Sequence, residues 1–265
     1  MSQPVPRSPL ALLSGLGELH TTFVTAELVL AFLTVVGLLW VIAPYGRHER
    51  PGWGPTIPNR YGWMLMESPT LLAVVPLYFL GPYAKGPISL GLLGLWLTHY
   101  VYRTLVFPFQ LKNPHRPMPL AIVGMAIGFN CLNALVISTT LSWTREYAVS
   151  WLADPRFLCG TAMFFLGTWI NRSADAVLRK LRQPGTTTYA IPHGGLYELI
   201  SCPNYFGEVL LWFGFAVASW SLGGLTFALY TCANLVPRAV SHHRWYRQQF
   251  PDYPAQRRAV LPFLF

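Results

Sequence analysis

Three neighbouring pieces decide how this chain reads: Asn171-Arg-Ser-Ala-Asp175, Leu178-Arg-Lys-Leu-Arg182-Gln-Pro-Gly185 and Ser201-Cys-Pro-Asn204-Tyr-Phe-Gly-Glu208. They set two Asn, an Asp, a Glu and several Arg directly beside apolar runs long enough to cross a bilayer. Ionisable groups at membrane depth are costly, and they persist mainly where a polar ligand or a water-filled cavity needs them. The expectation is a helical membrane protein that binds something large, polar and anionic, such as a cofactor, near its C-terminal half.

Composition points the same way. The 265 residues are 53% hydrophobic and only 11% charged, with a mean hydropathy of +0.38. Soluble domains carry roughly a quarter charged residues. Seven apolar runs are legible, near 22–43, 66–83, 87–108, 118–140, 152–171, 204–222 and 224–241. Each approaches or exceeds the ~18–20 residues that a helix needs to span hydrocarbon. The predicted fold is therefore all-α: a polytopic membrane protein with about seven transmembrane helices, forming one domain over residues 1–265.

Charge sets the orientation. With seven spans, Arg47, Arg50, Arg60, Lys112, Arg116, Arg172, Arg179, Lys180, Arg182, Arg244, Arg247, Arg257 and Arg258 fall on one side, against Arg7, Lys85, Arg145 and Arg156 on the other. That positive-inside bias predicts an N-terminus outside and a C-terminus in the cytoplasm. The loop cations, which make up most of a net charge of +9, suit anionic lipid headgroups as well as a phosphate ligand. No basic face interleaved with exposed aromatics is visible on a soluble module, which excludes nucleic acid as a partner, and no obligate protein partner is evident. Glu18 and His20 interrupt the weak apolar segment Leu10–Leu16, so no cleavable signal pattern is read. The four cysteines show no CxxC pairing and read as small core residues.

Along the chain, Gly and Pro between Gly46 and Asn59 preclude a regular helix after the first run, which ends at Pro44. Glu67 follows at the mouth of the second run, and the third carries His99-Tyr100-Val-Tyr102-Arg103-Thr104 in its cytoplasmic half. Asn130 and Asn133, three residues apart, share a helix face and are expected to meet a neighbouring helix rather than lipid. The segment from Asn171 to Leu181 extends the fifth run as a helix, with Arg172, Asp175, Arg179 and Arg182 on one flank. Thr186–Ile191 reads as extended, Pro192-His-Gly194-Gly195 as a turn, and Arg238 to Tyr246 as a tail after the last span. Glu27, inside the first run, has no assigned role.

Two constellations carry chemistry. Glu67 and Tyr100 are the candidate catalytic pair. A carboxyl beside an apolar span is favoured as the neutral acid, and a phenol is neutral at physiological pH. Two neutral donors in a dry cavity can polarise a carbonyl and stabilise the oxyanion formed when a nucleophile adds to a conjugated enone. The second constellation is Asn113, Arg116, Asn171, Asp175, Arg182, Asn204, Glu208, Arg238 and Tyr246. Arg matches phosphate oxygens bidentately, while amides and carboxylates match carboxamide, ribose and adenine edges, so the group suits a dinucleotide. Any one of these residues alone would read as a helix cap or an interhelical bond; nine on one side of the membrane do not. No GxGxxG follows a strand, which excludes a Rossmann site. His242-His243 does not read as a metal site, because adjacent helical side chains diverge by about 100°.

Read together, these pieces resemble the integral-membrane steroid 5α-reductase family, over most of the chain from Trp63 to Phe265. The likeness is carried by Trp63-Met-Leu-Met-Glu67-Ser-Pro69, His99 to Thr104, Asn113-Pro-His-Arg116-Pro117, Asn171 to Asp175, Leu178 to Gly185, Tyr189 to Gly195, Pro203 to Glu208, Arg238, and His242 to Tyr246 through Asp252-Tyr-Pro254. The resemblance implies an NADPH-dependent reductase of the Δ4 double bond of 3-oxo-4-ene steroids, housed in the bacterial inner membrane or the endoplasmic reticulum. It implies that Glu67 and Tyr100 hold the C3 carbonyl and that Trp63 lines the cavity for a steroid or sterol-like lipid. It implies, too, that Asn113, Arg116, Asn171, Asp175, Arg182, Tyr189, Asn204, Glu208, Arg238, His242 and Tyr246 contact NADPH, in a cofactor-binding half covering about 109–265, with no metal. One departure is Met66, where animal members carry Gln. The rival expectations are reduction of trans-2-enoyl-CoA or of another sterol double bond, and methyl transfer from S-adenosylmethionine. A transporter would call for paired repeats with broken helices, and no repeat is visible.

Overall fold

In a computed structural model of the chain, which describes residues 15–41, 48, 50, 52–182 and 189–264, the architecture is almost wholly helical. Helix α1 spans His20–Trp40. The second apolar run is not one helix: it is broken into α2 (Asn59–Glu67), α3 (Pro69–Leu72) and α4 (Val74–Phe79). Pro69 and Pro76 cannot donate to the helical ladder, so the interruptions fall where proline physics places them. The third run folds as α5 (Pro87–Val101), a π-helical turn over Tyr102–Val106, and α6 (Phe107–Gln110). Strands β1 (Thr56–Pro58) and β2 (Pro117–Pro119) pair antiparallel. They join the entries of α2 and of α7 (Leu120–Ser142).

The C-terminal half is three long helices: α8 (Pro155–Leu181), α9 (Pro203–Ser219) and α10 (Leu222–Gln249). Asp154 caps α8 by accepting from the Arg156 amide, Pro155 occupies its first position, and Ser221 caps α10 through the Gly224 amide. Between α9 and α10, Trp220 turns the chain in the left-handed region, with φ 43°. One expectation is corrected here: Arg238 to Tyr246 is not a tail but the continuation of α10 through Pro237. The residue four before that proline is Ala233, whose small side chain leaves room for the ring.

The seam between α8 and α9 is backbone on backbone. A Cβ added at Gly167 would come within 2.5 Å of the Leu211 amide, and one at Gly207 within 2.5 Å of the Asn171 amide. Gly160 and Gly214 meet the facing backbone in the same reciprocal way. Small residues at such crossings let helices approach closely where lipid removes the hydrophobic drive between them.

The broken second run is held differently. Asn130 donates to the Met66 carbonyl at 2.6 Å, Ser138 to Val74 at 3.2 Å and Ser142 to Tyr78 at 2.8 Å. Each α7 side chain thus serves the carbonyl 64 residues earlier, which makes α7 a parallel polar ladder. Indole donors add to it, from Trp96 to the Thr70 carbonyl and from Trp143 to the Leu77 carbonyl. The Tyr78 carbonyl also accepts from the Gly81 amide at 3.0 Å; along a broken run among apolar neighbours, donors of this kind supplement the interrupted ladder.

The main core gathers Trp96, Tyr100, Phe164, Trp212, Phe215 and Phe227 at the meeting of α5, α8, α9 and α10. Outward-facing residues are strongly apolar and exposed, among them Phe32, Leu72, Trp169 and Leu222. Among the described residues, two helices, His20–Trp40 and Leu120–Ser142, are long and apolar enough to cross a membrane. The turn at Pro44 and the first part of the extended reading, Thr186–Thr188, lie outside the described residues.

Candidate active site

Glu67 closes α2 and is buried, and Tyr100 lies buried on α5 against Trp96 and Trp212. The residue that joins them to the rest of the site is one to which the sequence reading gave no role, Arg103. The π-turn carries its guanidinium over Trp63, 4.6 Å from the ring, and to within 3.4 Å of Glu67 Oε1. Arg103 is also within electrostatic reach of Glu208, Asp175 and Tyr100. A cation in the middle of an apolar run was the available signal. Its π-helical setting is a frequent mark of functional sites.

From Arg103 the polar line continues across the α8–α9 seam. His99 Nε2 stands 3.5 Å from Glu208 Oε1. Asn171 donates to Glu208 Oε2 at 3.0 Å and to the Asn204 carbonyl at 2.9 Å, and Asn204 donates to Asp175 Oδ1 at 3.0 Å. The glycine-set register is what brings Asn171 and Asp175 opposite Asn204 and Glu208. Four of the predicted cofactor residues are therefore one hydrogen-bonded cluster, with Asn171 and Asp175 themselves buried.

Other predicted cofactor residues gather in two further groups. Arg116 donates to the Tyr189 hydroxyl at 3.1 Å, and Tyr189 packs edge-on against Trp245 of α10. Asn113 lies in the same turn, its carbonyl accepting from the Arg116 amide. Tyr205 shares a hydrogen bond with His242 and lies under the Arg238 guanidinium, while His242 stacks on His48 at 5.0 Å. Tyr246 is buried and stacks on Tyr253. The continuation of α10 past Pro237 is what carries Arg238, His242 and Tyr246.

Arg182 is the predicted residue that the structure does not gather in. It lies just past the end of α8, exposed and extended, off the helical flank shared by Arg172, Asp175 and Arg179. Arg179 Nη1, by contrast, is buried and without a hydrogen-bond partner among the described residues, as is Arg60 Nε. Unpaired buried guanidinium donors fit an anion.

Farther down the chain, Gly194 (φ 91°) and Gly195 (φ 57°) form the expected turn. Glu198 is held below the usual carboxylate range, first by the Gly194 amide at 2.6 Å and then by the Arg257 and His193 charges. Arg257, fully buried, donates to the Pro192 carbonyl and fixes the C-terminal tail. Asn130 and Asn133 are buried, as their spacing predicted. Among the described residues no His, Cys, Asp and Glu group could hold a metal ion.

The chain resembles known proteins along nearly its whole length. A family model described as 3-oxo-5-alpha-steroid 4-dehydrogenase matches residues 116–265. Steroid 5-alpha-reductase DET2 of Gossypium hirsutum is 45% identical over 242 residues, covering 89% of this chain and 94% of that protein. The DET2 protein of Arabidopsis thaliana is 41% identical, with 88% and 91% covered. 3-oxo-5-alpha-steroid 4-dehydrogenase 1 of Rattus norvegicus is 44% identical over 240 residues, with 89% and 91% covered.

Proposed function

The chain belongs to the 3-oxo-5-alpha-steroid 4-dehydrogenase family of oxidoreductases, and we propose that it reduces the Δ4 double bond of 3-oxo-4-ene steroids with NADPH. The proposal includes a single seven-span membrane domain over residues 1–265, N-terminus outside, with the cofactor half (about 109–265) open to the cytoplasm. The observation that carries it is the polar line from Glu67 through Arg103 to Glu208, Asn171, Asn204 and Asp175, set against the aromatic and aliphatic core of the bundle.

Each part of that line has a task. Tyr100 and Glu67 hold the steroid C3 oxygen, with Trp63 as a wall of the steroid cavity. NADPH supplies the hydride that adds at C5. As negative charge moves to the C3 oxygen, the two donors stabilise the enolate, and their burial strengthens that effect. C4 then takes a proton from water, which completes the reduction. Arg103, paired with Glu67 and close to Glu208, fixes the position of the catalytic carboxyl relative to the cofactor cluster. Asn171, Asp175, Asn204 and Glu208 offer the amide and carboxylate partners that a carboxamide and a ribose require. Arg116, Arg182, Arg238 and the unpaired donor of Arg179 suit the phosphates, with Asn113, Tyr189, His242 and Tyr246 completing the contacts.

The test is direct. The purified protein, in detergent or vesicles, is given testosterone with NADPH, NADH or S-adenosylmethionine, and its thermal midpoint is read with each cofactor. The expected result is a 5α-reduced product and a raised midpoint with NADPH, and weaker effects with NADH. A midpoint raised by S-adenosylmethionine, with no reduced steroid, would contradict the proposal.

A further inference from the structure

Glu27 and Asn133 are the least explained side chains in the molecule. Both are fully buried, and none of their four side-chain polar atoms has a hydrogen-bond partner among the described residues. Unsatisfied buried polar groups cost stability, so each needs a reason. On α1 the buried stripe is Val24, Glu27 and Ala31, which puts the carboxyl on the inward face.

The packing of α1 on α7 puts the two side chains at one depth. Gly17 lies against Trp143, and His20 shares a 2.8 Å hydrogen bond with Thr139. As one number rises the other falls, so the helices run antiparallel. Seven residues beyond His20 is Glu27, and seven before Thr139 is Leu132, beside Asn133. At about 1.5 Å per residue the register carries both to the same level. Neither side chain bonds the other, so a ligand that satisfies both has to reach that level.

That level adjoins the catalytic pair. Asn130, one turn from Asn133 on α7, donates to the carbonyl of Met66, the residue before Glu67. Glu27 is itself within electrostatic reach of Tyr100. We propose that Glu27 and Asn133 form a second polar subsite of the steroid cavity, which hydrogen-bonds a hydroxyl or keto oxygen of the substrate remote from the C3 carbonyl. This rests on the steroid-reductase reading above. A carboxyl and an amide together both donate and accept, so the subsite suits a hydroxyl. It selects against a bare steroid, whose binding would leave these groups unpaired.

The experiment compares kcat/KM, with NADPH saturating, for a 3-oxo-4-ene steroid bearing no other oxygen and for its 11β-hydroxy and 17β-hydroxy forms. Wild type, Glu27→Met and Asn133→Leu are measured, together with the thermal midpoint of each without steroid. In the wild type, one hydroxylated form should exceed the bare steroid by at least about tenfold, and each variant should bring that ratio close to one. The steroid-free midpoint should hold or rise, since each substitution removes unpaired buried polar atoms. No discrimination by the wild type, or full discrimination retained by both variants, would overturn the proposal and mean that the pair only holds water. So would a marked fall in both midpoints, which would make the side chains structural. A wild type that reduces none of the three steroids would instead refute the reductase reading itself.

Discussion

Two seams of this bundle solve the same problem in opposite ways. Between α8 and α9, glycines remove side chains and the backbones touch, which sets the register in which Asn171 and Asp175 bond Asn204 and Glu208. Between the broken second run and α7, the helix is interrupted, and side chains reach across to donate to its carbonyls. The first seam carries the polar cluster of Asn171, Asp175, Asn204 and Glu208. The second carries Glu67. On the proposed function, the cofactor would be served by the close-packed seam, and the Glu67 carboxyl by a stretch whose position is set one hydrogen bond at a time.

Substitution should break the two seams unequally. Gly207→Ala drives a Cβ into facing backbone and should cost about 3 kcal/mol, the upper end for overpacking, with loss of folded protein. Gly94→Ala is the control: nothing lies within 4 Å of the added Cβ. A helical alanine there should be neutral or stabilise by up to about 1 kcal/mol. Equal midpoints for the two variants would refute the backbone-contact account.

The ladder should yield more gradually. Ser138→Ala leaves the Val74 carbonyl buried without that donor and should cost about 1–3 kcal/mol. Its effect should fall on turnover rather than on NADPH affinity, because the ladder leads to Glu67 and not to the cofactor cluster. On the platform side, Arg179→Ala should weaken NADPH binding by about 1.5–3 kcal/mol, the range for a hydrogen bond to a charged group, and Arg182→Ala, at an exposed residue past the helix end, should weaken it less. Titration calorimetry with NADPH and NADH separates these cases. An Arg179 variant that binds NADPH as the wild type does would remove the buried guanidinium from the site.

The smallest effect belongs to the Gly194–Gly195 turn outside both seams. Glu198 is depressed below its ordinary value of 4.5, chiefly by the Gly194 amide. A depressed carboxylate contributes stability above its unfolded value and loses it as pH falls through the folded one. The midpoint difference between wild type and Glu198→Gln should therefore be present at pH 7 and close as the pH drops below about 4. A difference that widens in acid would reverse the assignment.

Much of this was legible in the sequence. The apolar runs gave the helices, and the ionisable residues beside them gave the cluster, because charge is rare enough in such a chain to be informative. The breaks at Ser68 and Ala73 were hidden, since hydropathy does not register where a ladder is cut. The length of α10 was hidden too: Pro237 and the polar stretch after it read as an ending, whereas helical packing continues past both. Arg103 escaped assignment because its partners, Glu67, Glu208 and Asp175, come from three other parts of the chain. The glycine seam did leave a trace, in Gly160 and Gly167 against Gly207 and Gly214, each pair seven residues apart. Arg182 was grouped by helical spacing with Arg179, but the helix ends one residue before it.

The central claim is that Glu67 and Tyr100 together hold one oxygen. It is tested most directly by steroid turnover in Tyr100→Phe, Glu67→Ala and the double variant, with NADPH binding measured on each. Losing one preorganised oxyanion donor costs about 2.7–4 kcal/mol, or roughly 100- to 1,000-fold in rate. Tyr100→Phe should lose turnover by that order and Glu67→Ala at least as much, while NADPH affinity holds. The double variant should fall short of the product of the two losses, because both donors serve one atom. Turnover near wild type in both single variants, or losses that multiply fully, would contradict the account.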